Sequence, residues 1–264
     1  MPERRAPRPL TVAGSDPSGG AGIAADLKVF AAFGLSGMVV PTALTIQTTA
    51  RLHALGAVDA RHFARTLAVL MREEPPDGVK VGLVPGALLP ALARALRRFE
   101  GPLVIDPVLA SSSGRRVLGR ADRRVLLDRL LPRATVVTPN RAEAAWLLGW
   151  DEARVARDPD AALTALCARG ARAVLLKGGH GGGPRAIDRL ATADGQRLVL
   201  DAPRRRARAR VHGTGCALSA ALLCGLLRGR SLARAAADAK AFVGRAIAGA
   251  RLRPGGARSL DFFA

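Results

Sequence analysis

The chain has no tyrosine, and its two tryptophans and seven phenylalanines bring aromatics to only 3% of 264 residues. That scarcity leaves little with which to stack nucleobases. Only three cysteines occur (Cys167, Cys216 and Cys224), spaced too widely for a disulfide framework or a metal-binding pattern. A reducing compartment, the cytoplasm, is the expected location. No apolar run approaches the roughly 18 residues of a membrane span, so no membrane partner is expected. Residues 1–9 are basic and proline-rich, no export segment follows them, and they read as a flexible N-terminal extension. Lysine is scarce as well: of 41 basic residues only Lys28, Lys80, Lys177 and Lys240 are lysines. One asparagine (Asn140) and two glutamines (Gln47, Gln196) complete the list of rarities. A chain rich in alanine and arginine keeps a rare residue mainly where its substitute fails, and arginine's planar fork cannot copy a compact ammonium. Chance retention is the alternative for each.

What is abundant is charge of one sign. The net charge is +20, and residues 204–210 hold five arginines. Such a balance invites a nucleic-acid reading. The arginines are dispersed along the whole chain, however, which describes a solvated basic surface. No specific nucleic acid is expected. Apolar residues make up 49% of the chain, enough for a large core and too many for disorder.

Short apolar runs alternate with helical spacings. Strands are expected at residues 10–15, 38–46 (ending at Gln47), 55–58, 79–84, 103–108, 135–137 and 173–177. Helices are expected at 21–33, 61–72, 87–99, after Asn140, at 215–227 and at 232 to about 251. Residues 188–200 alternate around Asp194-Gly195, a hairpin pattern. Alternation of this kind predicts a three-layer α/β/α sandwich with a mostly parallel central sheet, covered on both faces. No linker or repeat divides the chain, so residues 1–264 read as one domain.

In such sheets ligands bind beyond the carboxyl ends of the strands. Asp106, Asn140, Lys177 and the turn Gly213-Thr214-Gly215-Cys216 each follow an apolar strand. The two glycines of that turn let the backbone approach a ligand closely, and the helix start behind them offers unpaired N–H groups to an anion. Cys216 lies in the first turn of that helix, where the helix field is expected to lower a thiol's pKa and favour the thiolate. An anion cradle with a built-in base is what phosphoryl transfer to a hydroxyl requires. Taken alone, the six residues from Val211 to Cys216 would equally describe a strand-to-helix turn with a buried cysteine.

The order of motifs carries a resemblance. The string Ala13-Gly14-Ser15-Asp16-Pro17-Ser18-Gly19-Gly20-Ala21-Gly22-Ile23-Ala24-Ala25-Asp26-Leu27-Lys28 is followed by Gly37-Met38, Thr42-Ala43-Leu44-Thr45-Ile46-Gln47-Thr48, Asp106-Pro107-Val108 and Thr138-Pro139-Asn140 with Glu143-Ala144. Lys177-Gly178-Gly179-His180 and His212-Gly213-Thr214-Gly215-Cys216 complete the series. Over nearly its whole length the chain resembles the hydroxymethylpyrimidine/phosphomethylpyrimidine kinases of thiamine biosynthesis, within the ribokinase-like superfamily.

The resemblance implies transfer of the ATP γ-phosphoryl group to 4-amino-5-hydroxymethyl-2-methylpyrimidine and then to its monophosphate, with Mg²⁺ bridging the phosphates. It implies Cys216 as catalytic base, Gly213, Thr214 and Gly215 as the anion hole, and Lys177 as the charge on the transferring group. Gln47 would hydrogen-bond the pyrimidine, Asp26 would hold the substrate, and Gly14 and Val108 would line its pocket. Asn140, with Lys177 and Gly215, would meet ATP, and Asp106 and Glu143 would hold Mg²⁺. His180 and His212, each in a backbone-positioning context, are expected to be structural or to support neighbouring site residues rather than to be catalytic. Relatives are often dimers, although no residue here marks an interface. Leu83 stands where the family commonly has methionine, and Ala110-Ser111-Ser112-Ser113-Gly114 replaces a segment that often carries lysine. A pyridoxal kinase of the same lineage is the second reading. It is disfavoured because residues 109–115 lack the second cysteine those enzymes tend to carry.

Overall fold

The structure is a computed structural model and describes residues 5–109, 117–179, 183–204 and 211–264. His180, the loop 110–114 and the arginines at 205–210 lie outside the described residues. In chain order the strands are β1 (Pro9–Ala13), β2 (Met38–Pro41), β3 (Ala43–Gln47), β4 (Leu52–Ala57), β5 (Gly78–Val81), β6 (Leu103–Ile105), β7 (Val136–Val137), β8 (Ala173–Leu176), β9 (Arg185–Thr192), β10 (Arg197–Pro203), β11 (Val211–His212), β12 (Arg251–Leu252) and β13 (Arg258–Ser259). The helices are α1 (Gly22–Ala32), α2 (Ala60–Glu73), α3 (Leu89–Ala95), α4 (Arg120–Val125), α5 (Arg141–Leu148), α6 (Glu152–Arg157), α7 (Pro159–Ala168), α8 (Thr214–Leu227) and α9 (Leu232–Ala248).

Eight strands form the central sheet in the order β10-β9-β8-β7-β6-β5-β1-β2. From β8 to β2 all pairs are parallel, and the β9–β10 hairpin adds two antiparallel strands at one edge. Successive side chains of a strand point to opposite faces, and the core divides accordingly. Leu103, Ile105, Val137, Val174 and Leu176 pack with residues of α2, α3, α5 and α7. Val104, Val136, Ala173 and Leu175 pack with α1, α8 and α9 on the other face. A strand buried on both faces reads as a near-continuous apolar run, which is why these runs were legible as strands. The expected three-layer α/β/α architecture is the one observed.

Three expectations are corrected. The run 38–46 is not one strand: β2 joins the central sheet, whereas β3 leaves it to pair antiparallel with β4 in a separate two-stranded sheet. A continuous apolar alternation carries no mark of the point where the chain changes sheets. Of residues 1–9, expected as a flexible extension, residues 5–9 are held in place. Arg5 pairs with Asp77 at 3.0 Å, the Arg8 backbone N–H donates to the same carboxylate at 2.6 Å, and Pro9 opens β1. Finally, α9 ends at Ala248, and the chain returns through β12 and β13 so that Ser259 pairs beside His212 of β11. The extension of the helix to 251 missed this because two-residue strands have no periodicity to read. No helix among the described residues is long and apolar enough to cross a membrane.

Candidate active site

The site grows from the ends of β6, β7 and β8, where the backbone ladder brings three loops side by side. Asp106 follows β6 directly and is buried. Asn140 and Lys177 form an isolated parallel bridge just past β7 and β8, and the Lys177 N–H donates to the Pro139 carbonyl at 2.8 Å. Asn140 caps α5: its side-chain oxygen accepts from the Glu143 N–H at 2.9 Å, and the Glu143 carboxylate accepts from the Asn140 N–H at 2.7 Å. This reciprocal cap holds Glu143 against the strand ends. Lys177 Nζ then lies 2.6 Å from the Asp106 carboxylate and 3.5 Å from that of Glu143. Burial opposes the lysine's charge, but the two carboxylates raise its pKa above the ordinary range. Burial, aided by Asp106 and opposed by Lys177, pushes Glu143 up to about 7. Lys177 and Glu143 are thus members of one buried charged cluster.

The glycine turn meets the same point. A Cβ built on Gly215 would stand 3.5 Å from Lys177 Nζ and 3.7 Å from Asp106 Oδ2. The first turn of α8 thus touches the lysine–carboxylate cluster. Gly213 holds φ at +84°, and a Cβ there would come within 1.8 Å of the Gly20 carbonyl oxygen. Left-handed backbone disfavours a side chain by about 1–2 kcal/mol, and the clash with a fixed carbonyl adds to it. Gly213→Ala should lower the unfolding free energy by more than about 2 kcal/mol. A denaturant midpoint within error of wild type would refute the close approach.

Cys216 is half-buried, and the backbone of Gly22 at the start of α1 donates a hydrogen bond to its sulfur. Here the structure corrects the expected acidity. Burial raises the thiol's pKa, Lys80 opposes the rise, and Asp26 and Asp106 add to it. The helix field is outweighed because the sulfur sits in a crevice that solvates a thiolate poorly.

Asp26 is also corrected. It is fully buried, with Lys80 Nζ at 2.8 and 3.0 Å from its two oxygens and the Thr11 hydroxyl donating to Oδ2 at 2.6 Å. Burial raises the acid's pKa, opposed by Lys80 and Thr11; the ammonium and the hydroxyl together donate three hydrogen bonds to its two oxygens, which favours the carboxylate. An acid so enclosed cannot also hold a substrate. Helical spacing placed it correctly on α1 without revealing that it points beneath the sheet surface. Its partner Lys80, one of the rare lysines, is given no role by the sequence. The available signal was a lysine inside the apolar run Val79-Lys80-Val81 of a chain that otherwise uses arginine.

Gln47 ends β3 half-buried, its amide 3.1 Å from His212 Nε2. Val108 is half-buried after β6, and Gly14 backs onto Leu83, whose Cδ2 lies 3.3 Å from the position of a Cβ. A cleft of about 220 Å³ opens against Lys177 and Gly178, bordered by Leu176, Arg141 and Arg204. Arg204, expected only as part of a basic cluster, donates to the carbonyls of Gly179, Gly183 and Arg185.

A glycine turn at a helix start, a lysine between two carboxylates and a neighbouring thiol, all past the ends of parallel strands, define a phosphotransferase of the ribokinase-like class. The phosphomethylpyrimidine kinase family matches residues 16–259, and the chain belongs to it. Hydroxymethylpyrimidine/phosphomethylpyrimidine kinase of Rhizobium meliloti is 42% identical, over 91% of this chain and 90% of that one. Among solved structures, pyridoxal kinase from Staphylococcus aureus in complex with ADP superposes with a TM-score of 0.89 at 29% identity, covering 98% of this chain and 94% of that one. Phosphomethylpyrimidine kinase from Clostridium difficile gives a TM-score of 0.76 at 32% identity, covering 91% and 99%.

Proposed function

We propose that this chain, acting as a single domain, transfers the γ-phosphoryl group of ATP to 4-amino-5-hydroxymethyl-2-methylpyrimidine and then to the resulting monophosphate. The observation that carries the reading is the approach of Gly215 to both Lys177 and Asp106, because it sets an anion cradle against a buried cation. In the first step the hydroxymethyl oxygen attacks the γ-phosphorus while the bond to the β–γ bridging oxygen breaks. The hydroxyl proton passes to Cys216 Sγ, and ADP leaves. Backbone N–H groups of the 213–215 turn and the Lys177 ammonium face the charge that develops on the transferring group, where preorganised donors lower the barrier most. In the second step the acceptor is a phosphate oxygen, which has no proton to surrender.

Two buried carboxylates sharing one lysine suit a hard, oxygen-loving cation that keeps most of its waters. No group of three or more metal-ligating side chains occurs among the described residues. Asp106 and Glu143 therefore fit Mg²⁺ carried in with the nucleotide, and when bound it would neutralise phosphate charge. Asn140 would stand beside the nucleotide while capping α5. The homodimer belongs to the same proposal. Leu44 and Ile46, two positions apart on β3, are 64% and 67% exposed, and sedimentation would test whether a second copy covers them.

The decisive assay offers the pyrimidine alcohol, its monophosphate and pyridoxal side by side and follows ATP consumption. Pyridoxal as the preferred acceptor would overturn the substrate assignment. Gln47→Leu should raise KM for the pyrimidine by about 10- to 100-fold through the lost hydrogen bond while leaving KM for ATP unchanged. Equal loss toward both ligands would mean that Gln47 supports the fold rather than the pocket.

A further inference from the structure

Gln47, His212 and Asp16 come from three distant parts of the chain and form one hydrogen-bonded row. His212 Nε2 lies 2.8 Å from Asp16 Oδ2 and 3.1 Å from the terminal amide of Gln47. The imidazole and the carboxylate are buried, with side-chain exposures of 3% and 4%. Asp16 is in turn fixed by the Ser18 N–H at 2.9 Å, the Ser18 hydroxyl at 2.7 Å and the Ala21 N–H at 2.8 Å. A Cβ on Gly20 would stand 2.7 Å from His212 Cδ2, so the loop also closes over the ring. The ring is gripped on every side that these contacts describe.

The chemistry of this row decides which way the Gln47 amide faces. Asp16 already accepts three donors from its own loop. Burial opposes its charge, but hydrogen bonds from His212 and Ser18 hold its carboxyl below the usual range. A carboxylate 2.8 Å from Nε2 requires that nitrogen to carry a proton, whether or not Nδ1 carries one too. The Gln47 atom beside Nε2–H must then be an acceptor. Amide oxygen and nitrogen are alike in shape and are assigned from their partners, so the oxygen belongs at 3.1 Å and the NH₂ group points away. The other end of this amide makes no hydrogen bond among the described residues, and the residue is only half-buried. Its NH₂ group is therefore presented to the pocket beside the turn that follows His212.

We propose that His212, clamped by Asp16, is a positioning residue that fixes the Gln47 amide with its NH₂ outward, so that the pocket selects an aromatic ring bearing a bare nitrogen acceptor at that edge. This rests on the pyrimidine-alcohol reading and adds to it the origin of ring selection. A pyrimidine nitrogen satisfies the donor, whereas a C–H or a protonated ring nitrogen at the same place leaves it unpaired. An unpaired donor in a desolvated pocket is penalised far more than a missing apolar contact.

The test uses the full chain, ATP, the pyrimidine alcohol and an analogue in which C–H replaces the ring nitrogen next to the amino-bearing carbon. His212→Leu removes the donor; His212→Gln places an N–H near the position of Nε2. The Leu variant should raise KM for the pyrimidine about 30-fold, with kcat within about threefold and KM for ATP unchanged. It should also lose the discrimination between pyrimidine and analogue that wild type shows, and His212→Gln should recover most of it. A fall in kcat without a change in KM, discrimination kept by the Leu variant, or a Gln variant no better than Leu would each overturn the proposal. Should thermal melts show the Leu variant unfolded, the Gln variant decides by the same criterion. Nitrogen-15 NMR of the ligand-free protein separates this proposal from the substrate assignment. A protonated His212 Nε2 without a hydrogen bond from the Gln47 NH₂ supports it whichever substrate is used. A bare Nε2 accepting from that NH₂ overturns it, even in an active pyrimidine kinase.

Discussion

Replacing Cys216 by alanine should lower kcat for the pyrimidine alcohol by about 10²- to 10⁴-fold, the range for a lost general base, and should affect the monophosphate reaction much less. The asymmetry follows from the acceptors. An alcohol must shed its proton as it attacks, and the sulfur beside the 213–215 turn is placed to take it. A phosphate oxygen arrives already deprotonated and needs only the cradle and Lys177. The pH profile gives a second readout. The thiol acts only after losing its proton, and burial raises its pKa despite Lys80. For wild type, kcat/KM with the alcohol should therefore climb with pH into the alkaline range, and the alanine variant should lack that limb. Equal losses with both acceptors would show that Cys216 shapes the pocket and is no base. Near wild-type turnover of the alcohol by the variant would end the proposed mechanism.

The second large effect concerns the ion pair under the site. Lys80→Met should destabilise the fold by about 3–5 kcal/mol, because it strands the fully buried Asp26 carboxylate without its counter-charge. Removing both charges in Asp26→Leu/Lys80→Met should restore stability to within about 2 kcal/mol of wild type. An apolar pair of similar volume avoids the desolvation penalty, and only the Thr11 hydroxyl then loses an acceptor, at about 1 kcal/mol. Urea denaturation of the single and double variants measures both figures. In the double variant the loss of Lys80, which lowers the Cys216 pKa, is partly offset by the loss of Asp26, which raises it, so the alkaline limb should move up only slightly.

The sequence by itself determined the layers and the chemistry. Runs such as Leu103-Val104-Ile105 and Ala173-Val174-Leu175-Leu176 had to be central strands, because only a strand covered on both faces is apolar at every position. The rare Lys177, Asn140 and Gln47 stood out against an arginine-rich background, and the glycine turn before α8 announced a helix start open to an anion. Tertiary structure decided what each polar side chain faces. Asp26 and Lys80 lie 54 residues apart and meet only because α1 packs across β1 and β5; helical spacing locates a carboxylate on a face without telling what that face covers. The same limit hid the break between β2 and β3 and the row from Asp16 through His212 to Gln47. It also reversed the expected acidity of Cys216. Helix position is a local property, whereas the desolvation that overrides it depends on every element packed around the sulfur.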